Sequence, residues 1–246
     1  LNDPISGFEY KHEFRPMKRL NGSVGIFNPD GKHFYYKTEN NDAVIYDLEN
    51  DGVVTEIDCY SLQKHTVSPD GKLYAVWENY SGRSNKDNVK IFNAQTGNLI
   101  KQFSVPPKHS YYYDLAFSPD GKFLAFVSYG WIKIYNIETK TEVMEFGTAT
   151  DIAFSPKGKL LAASSGKVYN LESGATAHTF SSGNSVAFSP DGETLAIGGE
   201  RKRYYDGGEY KYTDPINIYS LKTGLKARSI SGTETAYVKA YSPDGK

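Results

Sequence analysis

Ser118-Pro119-Asp120-Gly121-Lys122 lies between two short apolar runs, Leu115-Ala116-Phe117 and Phe123-Leu124-Ala125-Phe126-Val127. Pro presets the first turn dihedral, Asp can bond back to nearby backbone N–H groups, and Gly accepts a positive φ that strains other residues. These five residues therefore predict a tight turn joining two strands. They recur with small changes as Asn28-Pro29-Asp30-Gly31-Lys32, Ser68-Pro69-Asp70-Gly71-Lys72 and Ser155-Pro156-Lys157-Gly158-Lys159. Two further copies are Ser189-Pro190-Asp191-Gly192-Glu193 and Ser242-Pro243-Asp244-Gly245-Lys246. A strand-rich repeat of about 40 residues is the signature of propeller blades. An ordinary β-sandwich has no need of one turn in every unit.

Outward from each turn the unit fills in as four strands. Trp131-Ile132-Lys133-Ile134-Tyr135-Asn136-Ile137 alternates apolar and polar residues as a half-buried strand does, and Glu142-Val143-Met144-Glu145-Phe146 completes that unit. The third strands align along the chain at Val44-Ile45-Tyr46-Asp47, Lys90-Ile91-Phe92-Asn93, Lys133-Ile134-Tyr135-Asn136, Lys167-Val168-Tyr169-Asn170 and Asn217-Ile218-Tyr219-Ser220. A turn follows each, clearest at Thr96-Gly97 and Thr223-Gly224. The expected fold is all-β, a single β-propeller domain of four-stranded antiparallel blades. Five complete blades run roughly over residues 21–60, 61–105, 110–147, 149–181 and 184–231, and a partial one starts at 235. A further strand reads around Phe8 to Phe14. An unclosed ring leaves strand edges bare. The expectation is therefore a fragment of a ring of six or more blades, or a ring completed by a partner segment.

Composition agrees. Tyr (20) and Phe (13) are abundant beside 23 Gly, while Met is only 2, a balance suited to pleated surfaces punctuated by turns. A net charge of -1 from 28 basic and 29 acidic residues excludes whole-molecule steering toward nucleic acid. Cys59 is the only cysteine, so neither an intrachain disulfide nor a Cys-based zinc site can form. That fits a reducing, cytoplasmic setting. No apolar run approaches the roughly 18 residues of a membrane span, so no membrane partner is expected. The glycosylation-type triplets at Asn21 and Asn79 are short enough to arise by chance.

With these units in view the chain resembles the WD-repeat family over nearly its whole length. The family's Trp-Asp pair falls where this sequence has Tyr or Phe followed by Asp, Asn or Ser, and only Asp47 keeps the carboxylate. The family's Gly-His pair has no consistent counterpart. The resemblance implies a propeller with aromatic rings between blades, used as a platform for other proteins. The first two blades also resemble eukaryotic translation initiation factor 2A, in Gly25-Ile26-Phe27, in Lys72-Leu73-Tyr74-Ala75-Val76-Trp77, and in Asn88 to Gly97 after an extended loop. That likeness implies work with the small ribosomal subunit and RNA.

In a propeller the Ser-Pro-Asp-Gly and Thr-Gly turns share one face, and the other connections share the opposite one. Three unusual connections map to that second face. They are Tyr80 to Asp87, with Arg83 and Lys86; Pro106 to Tyr113, with Lys108, Tyr111 and Tyr112; and a long loop from Glu200 to Asp214. The last carries Arg201, Arg203, Tyr204, Tyr205, Tyr210 and Tyr212. Fifteen residues exceed what a hairpin needs, and Tyr with Arg is the composition of binding hot spots. These residues are the expected contacts for protein partners at the blade-two and blade-five loops. Basic residues among aromatics would equally suit RNA or the ribosome, and a solvated cover over a neighbouring blade is the plain alternative.

Catalytic, metal and cofactor sites are not expected. The five histidines, His12, His33, His65, His109 and His178, have no ligand spacing, and His65 reads as structural. Neither a nucleophile elbow nor a phosphate-binding Gly loop occurs. Asp47 to Gly52 faintly resembles a calcium loop, but Asp58 stands where a bidentate Glu is required. A channel-site enzyme would need polar residues at the starts of inner strands. Those strands read as apolar, although Asp114, Asp151 and Ser185 stand just before or at three of them. The expected function is a non-catalytic interaction scaffold.

Overall fold

The computed structural model describes residues 22–59, 62–78, 87–105, 114–128, 131–199, 202–206, 209–213, 215–230, 238 and 241–242. These residues form five four-stranded antiparallel sheets and one two-stranded ribbon, with no helix among them. Blade one is β1 (Gly22–Phe27), β2 (His33–Thr38), β3 (Ala43–Asp47) and β4 (Gly52–Ile57). Blade two is β5 (Leu62–Val67), β6 (Leu73–Glu78), β7 (Asp87–Asn93) and β8 (Leu99–Val105). Blade three is β9 (Leu115–Phe117), β10 (Phe123–Ser128), β11 (Trp131–Asn136) and β12 (Thr141–Thr148). Blade four is β13 (Ile152–Phe154), β14 (Leu160–Ala163), β15 (Lys167–Asn170) and β16 (Thr176–Thr179). In blade five, β17 (Ser185–Phe188) and β18 (Thr194–Gly198) are followed by the ribbon β19 (Lys202–Asp206) and β20 (Glu209–Thr213), then β21 (Ile216–Ser220) and β22 (Lys226–Ile230).

Every blade is a simple meander in chain order, and the repeated turn explains why. Gly31, Gly71, Gly121, Gly158 and Gly192 have φ of 69°, 71°, 70°, 68° and 74°, the left-handed conformation that only Gly takes without cost. In three turns the Ser hydroxyl donates to the Asp two residues on, at 2.6 Å for Ser68–Asp70, 2.6 Å for Ser118–Asp120 and 2.5 Å for Ser189–Asp191. The same hydroxyl accepts the N–H that begins the next strand.

Sheets pack face to face through four apolar clusters, one per blade junction. Tyr35, Ala43 and Ile45 of blade one meet Tyr74 and Val76 of blade two, and Trp77 and Val89 of blade two meet Leu124 and Phe126 of blade three. Ile132 and Phe146 then meet Leu161 and Tyr169, and Ala162 and Val168 meet Leu195 and Tyr219. The second strands β6, β14 and β18 are accordingly buried on both sides, β2 is only partly buried, and the fourth strands β16 and β22 are mostly exposed, with β4 about half so.

In blades two to five the residues expected at the Trp position do fill the junctions. Phe92, Tyr169 and Tyr219 are buried in the clusters and Tyr135 is partly buried there, whereas Tyr46 of blade one is buried but belongs to none of them. Tyr169 stacks on Phe146 at 4.1 Å and Tyr219 on Phe180 at 4.3 Å. Immediately before this aromatic the register between third and fourth strands slips in all five blades, at Ile45/Tyr46, Ile91/Phe92, Ile134/Tyr135, Val168/Tyr169 and Ile218/Tyr219. A bulge re-aims the following side chain and twists the strand. The family's Asp position serves locally. Asp47, Asn93 and Asn170 each accept two backbone N–H groups of the turn that follows. Asp47 to Gly52 is therefore a side-chain-capped turn.

One expectation needs correction. Residues 200–214 read as a loop, but most of them form the β19–β20 ribbon, paired from Lys202↔Thr213 to Asp206↔Glu209. The strand expected around Phe8–Phe14 lies outside the described residues, as does most of the partial sixth blade.

Candidate functional site

Strand direction sorts the connections into two ends. The Ser-Pro-Asp-Gly turns sit beside the third-to-fourth-strand turns, tied by Leu48 N–H to Lys32 O, Ala94 N–H to Lys72 O and Ile137 N–H to Lys122 O. At the opposite end the starts of inner strands bond to the ends of second strands, through Val127 N–H to Asp114 O and Ser164 N–H to Asp151 O. The ribbon joins the end of β18 to the start of β21, so it rises from this second end.

A cavity of about 610 Å³ runs between the inner strands of blades two to five. Its wall toward the turns carries Phe154, Pro156, Phe188, Pro190 and Tyr241. Its wall toward the loop-bearing end carries Lys64, Asp114, Thr150, Asp151, Asn184 and Ser185. The apolar reading of the inner strands fits the middle of β9, β13 and β17, and Asp114, Asp151 and Ser185, picked out in the sequence just before or at these strands, do line the rim; Lys64 is the member that the sequence reading did not single out. Lys64 in particular stands on β5, one position ahead of His65, where blades three to five have Asp114, Asp151 and Ser185.

The rim is an inter-blade ladder. Asp114 Oδ2 accepts Ile152 N–H of the next blade at 2.9 Å, Asp151 Oδ2 accepts Val186 N–H at 2.8 Å, and Ser185 Oγ accepts Val238 N–H at 2.8 Å. Where the ladder reaches blade two the acceptor is replaced by Lys64, whose Nζ lies 2.9 Å from Asp114 Oδ1. Burial pulls the Lys64 pKa down, but the neighbouring Asp114 and then Asp151 outweigh it and hold it above its ordinary value. The Asp151 carboxyl is pushed up to about 7, first by burial and then by the adjacent, hydrogen-bonded Asp114. Asp114 is thus paired with an ammonium, while burial and its neighbour favour the protonated form of Asp151. Such a pair has the parts of a general acid and base, yet each already holds a neighbouring strand's N–H.

His65 is buried at the same wall. Its Nδ1 lies 2.8 Å from the hydroxyl of Tyr74, and burial first, then Lys64 and Lys37, lower its pKa to about 4. Tyr74 is itself fully buried and stacks on Tyr35 of blade one at 4.7 Å. The structural reading of His65 therefore fits its surroundings.

The expected contact residues divide sharply. Arg83, Lys86, Lys108, Tyr111, Tyr112 and Arg201 lie outside the described residues. Arg203, Tyr204 and Tyr205 occupy β19, and Tyr210 and Tyr212 occupy β20. Their register sets Arg203 opposite Tyr212 and Tyr205 opposite Tyr210, which places these four on one face of the ribbon, because strand residues alternate between faces. Tyr204, opposite Lys211, falls on the other face.

The family model described as WD domain, G-beta repeat, matches residues 97–136. The matched stretch starts at the turn glycine of blade two, takes in β8 and the first three strands of blade three, and ends at Tyr135-Asn136. That pair stands where the family has Trp-Asp. No curated protein matches the chain. Neither the match nor the sheets add support to the likeness of the first blades to initiation factor 2A.

Proposed function

We propose that this chain, a WD-repeat-like β-propeller, is a non-catalytic scaffold that binds protein partners on the end carrying the ribbon and the long connections. The observation that supports this most is the ribbon itself. It pairs with no blade among the described residues, so it adds nothing to the meander, and its register gathers Arg203, Tyr205, Tyr210 and Tyr212 on one face. Large, rigid, amphipathic Tyr beside Arg gives contact area at low entropic cost. Platforms of this fold carry their function in sites grafted onto the frame. The same reading takes in the blade-two connection and the crossing to blade three, with Arg83, Lys86, Lys108, Tyr111 and Tyr112, as further expected partner contacts.

The test replaces residues 201–214 by a short turn and compares proteins captured by the intact and shortened chains at equal folded amounts. Loss of specific partners is expected, and an unchanged set overturns the proposal. RNA captured at low salt and lost steeply as salt rises would instead support the nucleic-acid reading.

A further inference from the structure

Building on the scaffold reading, we propose that the outer edge of β19 takes up an extended segment of a protein partner as an added antiparallel strand, with a carboxylate opposite Arg203 and an apolar side chain opposite Tyr205. Only two residues separate Asp206 from its cross-strand partner Glu209, and a hairpin so short closes on a pair that bonds through the backbone. Bonded and non-bonded pairs alternate from there. Tyr204↔Lys211 and Lys202↔Thr213 are therefore bonded pairs, with N–H and C=O groups pointing inward, while Tyr205↔Tyr210 and Arg203↔Tyr212 are not. The N–H and C=O groups of Arg203 and Tyr205 thus point away from β20, toward an edge that no strand covers among the described residues.

Nothing blunts this edge as the blade edges are blunted. In every blade the register between third and fourth strands slips once, and a bulge twists an outer strand away from further pairing. The ribbon's register runs unbroken from Lys202↔Thr213 to Asp206↔Glu209, and Lys202–Asp206 contains no Pro. Alternation also puts the two residues with outward backbone groups on the Arg–Tyr face. In an added antiparallel strand the residues directly opposite them share that face and stand two positions apart. Arg203 is the one charged residue there, beside Tyr205, Tyr210 and Tyr212, whereas the other face balances Lys202 and Lys211 against Asp206 and Glu209. Charge complementarity selects a carboxylate for the position opposite Arg203. The Tyr-rich remainder of the face selects an apolar residue for the position opposite Tyr205.

Amide exchange on the whole chain tests this, first alone and then with a short end-blocked peptide that alternates Val and Thr and carries Glu in place of its central Val. Alone, the amides of Lys202, Tyr204 and Asp206 should be protected, and those of Arg203 and Tyr205 should exchange freely. With the peptide near nine-tenths saturation, Arg203 and Tyr205 should slow about tenfold while Tyr210 and Tyr212 stay unchanged. A peptide with Lys in place of Glu should bind about tenfold more weakly, and Arg203→Glu should reverse that order. Tyr205→Pro deletes one outward N–H without touching the ribbon's own bonds, so it should weaken binding beyond Tyr205→Ala. Protection of Arg203 and Tyr205 in the free chain overturns the proposal, and so does unchanged exchange at millimolar peptide. Both results leave partner binding as such standing; that falls only if the chain shortened across residues 201–214 keeps its captured set.

Discussion

Glu78 is fully buried at the end of β6, with Lys90 Nζ 2.5 Å away as its ionic partner. Removing one partner of a buried pair strands the other charge in a medium that solvates it poorly. Lys90→Met should therefore destabilise the chain by about 3–5 kcal/mol, whereas Lys90→Met with Glu78→Gln should recover most of that loss. Urea denaturation of the three chains checks both values. A second residue-scale prediction concerns pH. Asp151, raised from 3.8 to about 7, gives stability that is complete below the unfolded value and lost as pH rises through the folded one. His65, lowered from 6.5 to about 4, gives stability that is complete above the unfolded value and lost as pH falls. The two oppose each other across nearly the same window. Asp151→Asn should therefore tilt the melting profile upward with pH between about 4 and 7, and His65→Gln should tilt it downward between about 4 and 6.5, each relative to wild type.

At the scale of elements the repeat offers its own controls. The fourth turn has Lys157 where three others have a Ser-bonded Asp, and Ser155 Oγ there only accepts the N–H of Leu160, at 3.0 Å. Lys157→Asp should restore the missing bond and raise stability by about 1 kcal/mol. Lys140 occupies a position with φ of 62° that is Gly in blades two, four and five, so Lys140→Gly should stabilise by up to about 1 kcal/mol. Both are read as shifts of the urea midpoint. These turns also mark what the sequence makes legible. Pro, Asp and Gly act on the backbone within five residues, so their geometry could be read directly, as could the stacked aromatics at a fixed place in each third strand. The recurring bulge before those aromatics could not, since it depends on pairing between strands and leaves the alternation almost intact. The ribbon was signalled, because Gly207-Gly208 between two Tyr-rich stretches is a hairpin pattern. A reading as loop overlooks it. Lys64 and Asp114 stand fifty positions apart, and no local pattern announces that they meet.

For the molecule as a whole, each of blades two to five packs its Phe27-type and Phe34-type positions on the preceding blade. Phe117, Phe188, Leu124 and Leu195 are all buried in this way. Blade one presents the same face with Phe27 63 % exposed and leaning on Phe34 at 4.8 Å. In the 246-residue chain this patch should bind hydrophobic dyes and promote self-association. Phe27→Ser should reduce both in light scattering and dye fluorescence while leaving the melting temperature little changed. The opposite geometry of turns and long connections bears on the function. Cross-linking of lysines to a captured partner, mapped by mass spectrometry, tests that arrangement most directly. The account predicts cross-links at Lys202 and Lys211 of the ribbon. Cross-links concentrated at Lys32, Lys72, Lys122 and Lys159, in the repeated turns, would contradict it.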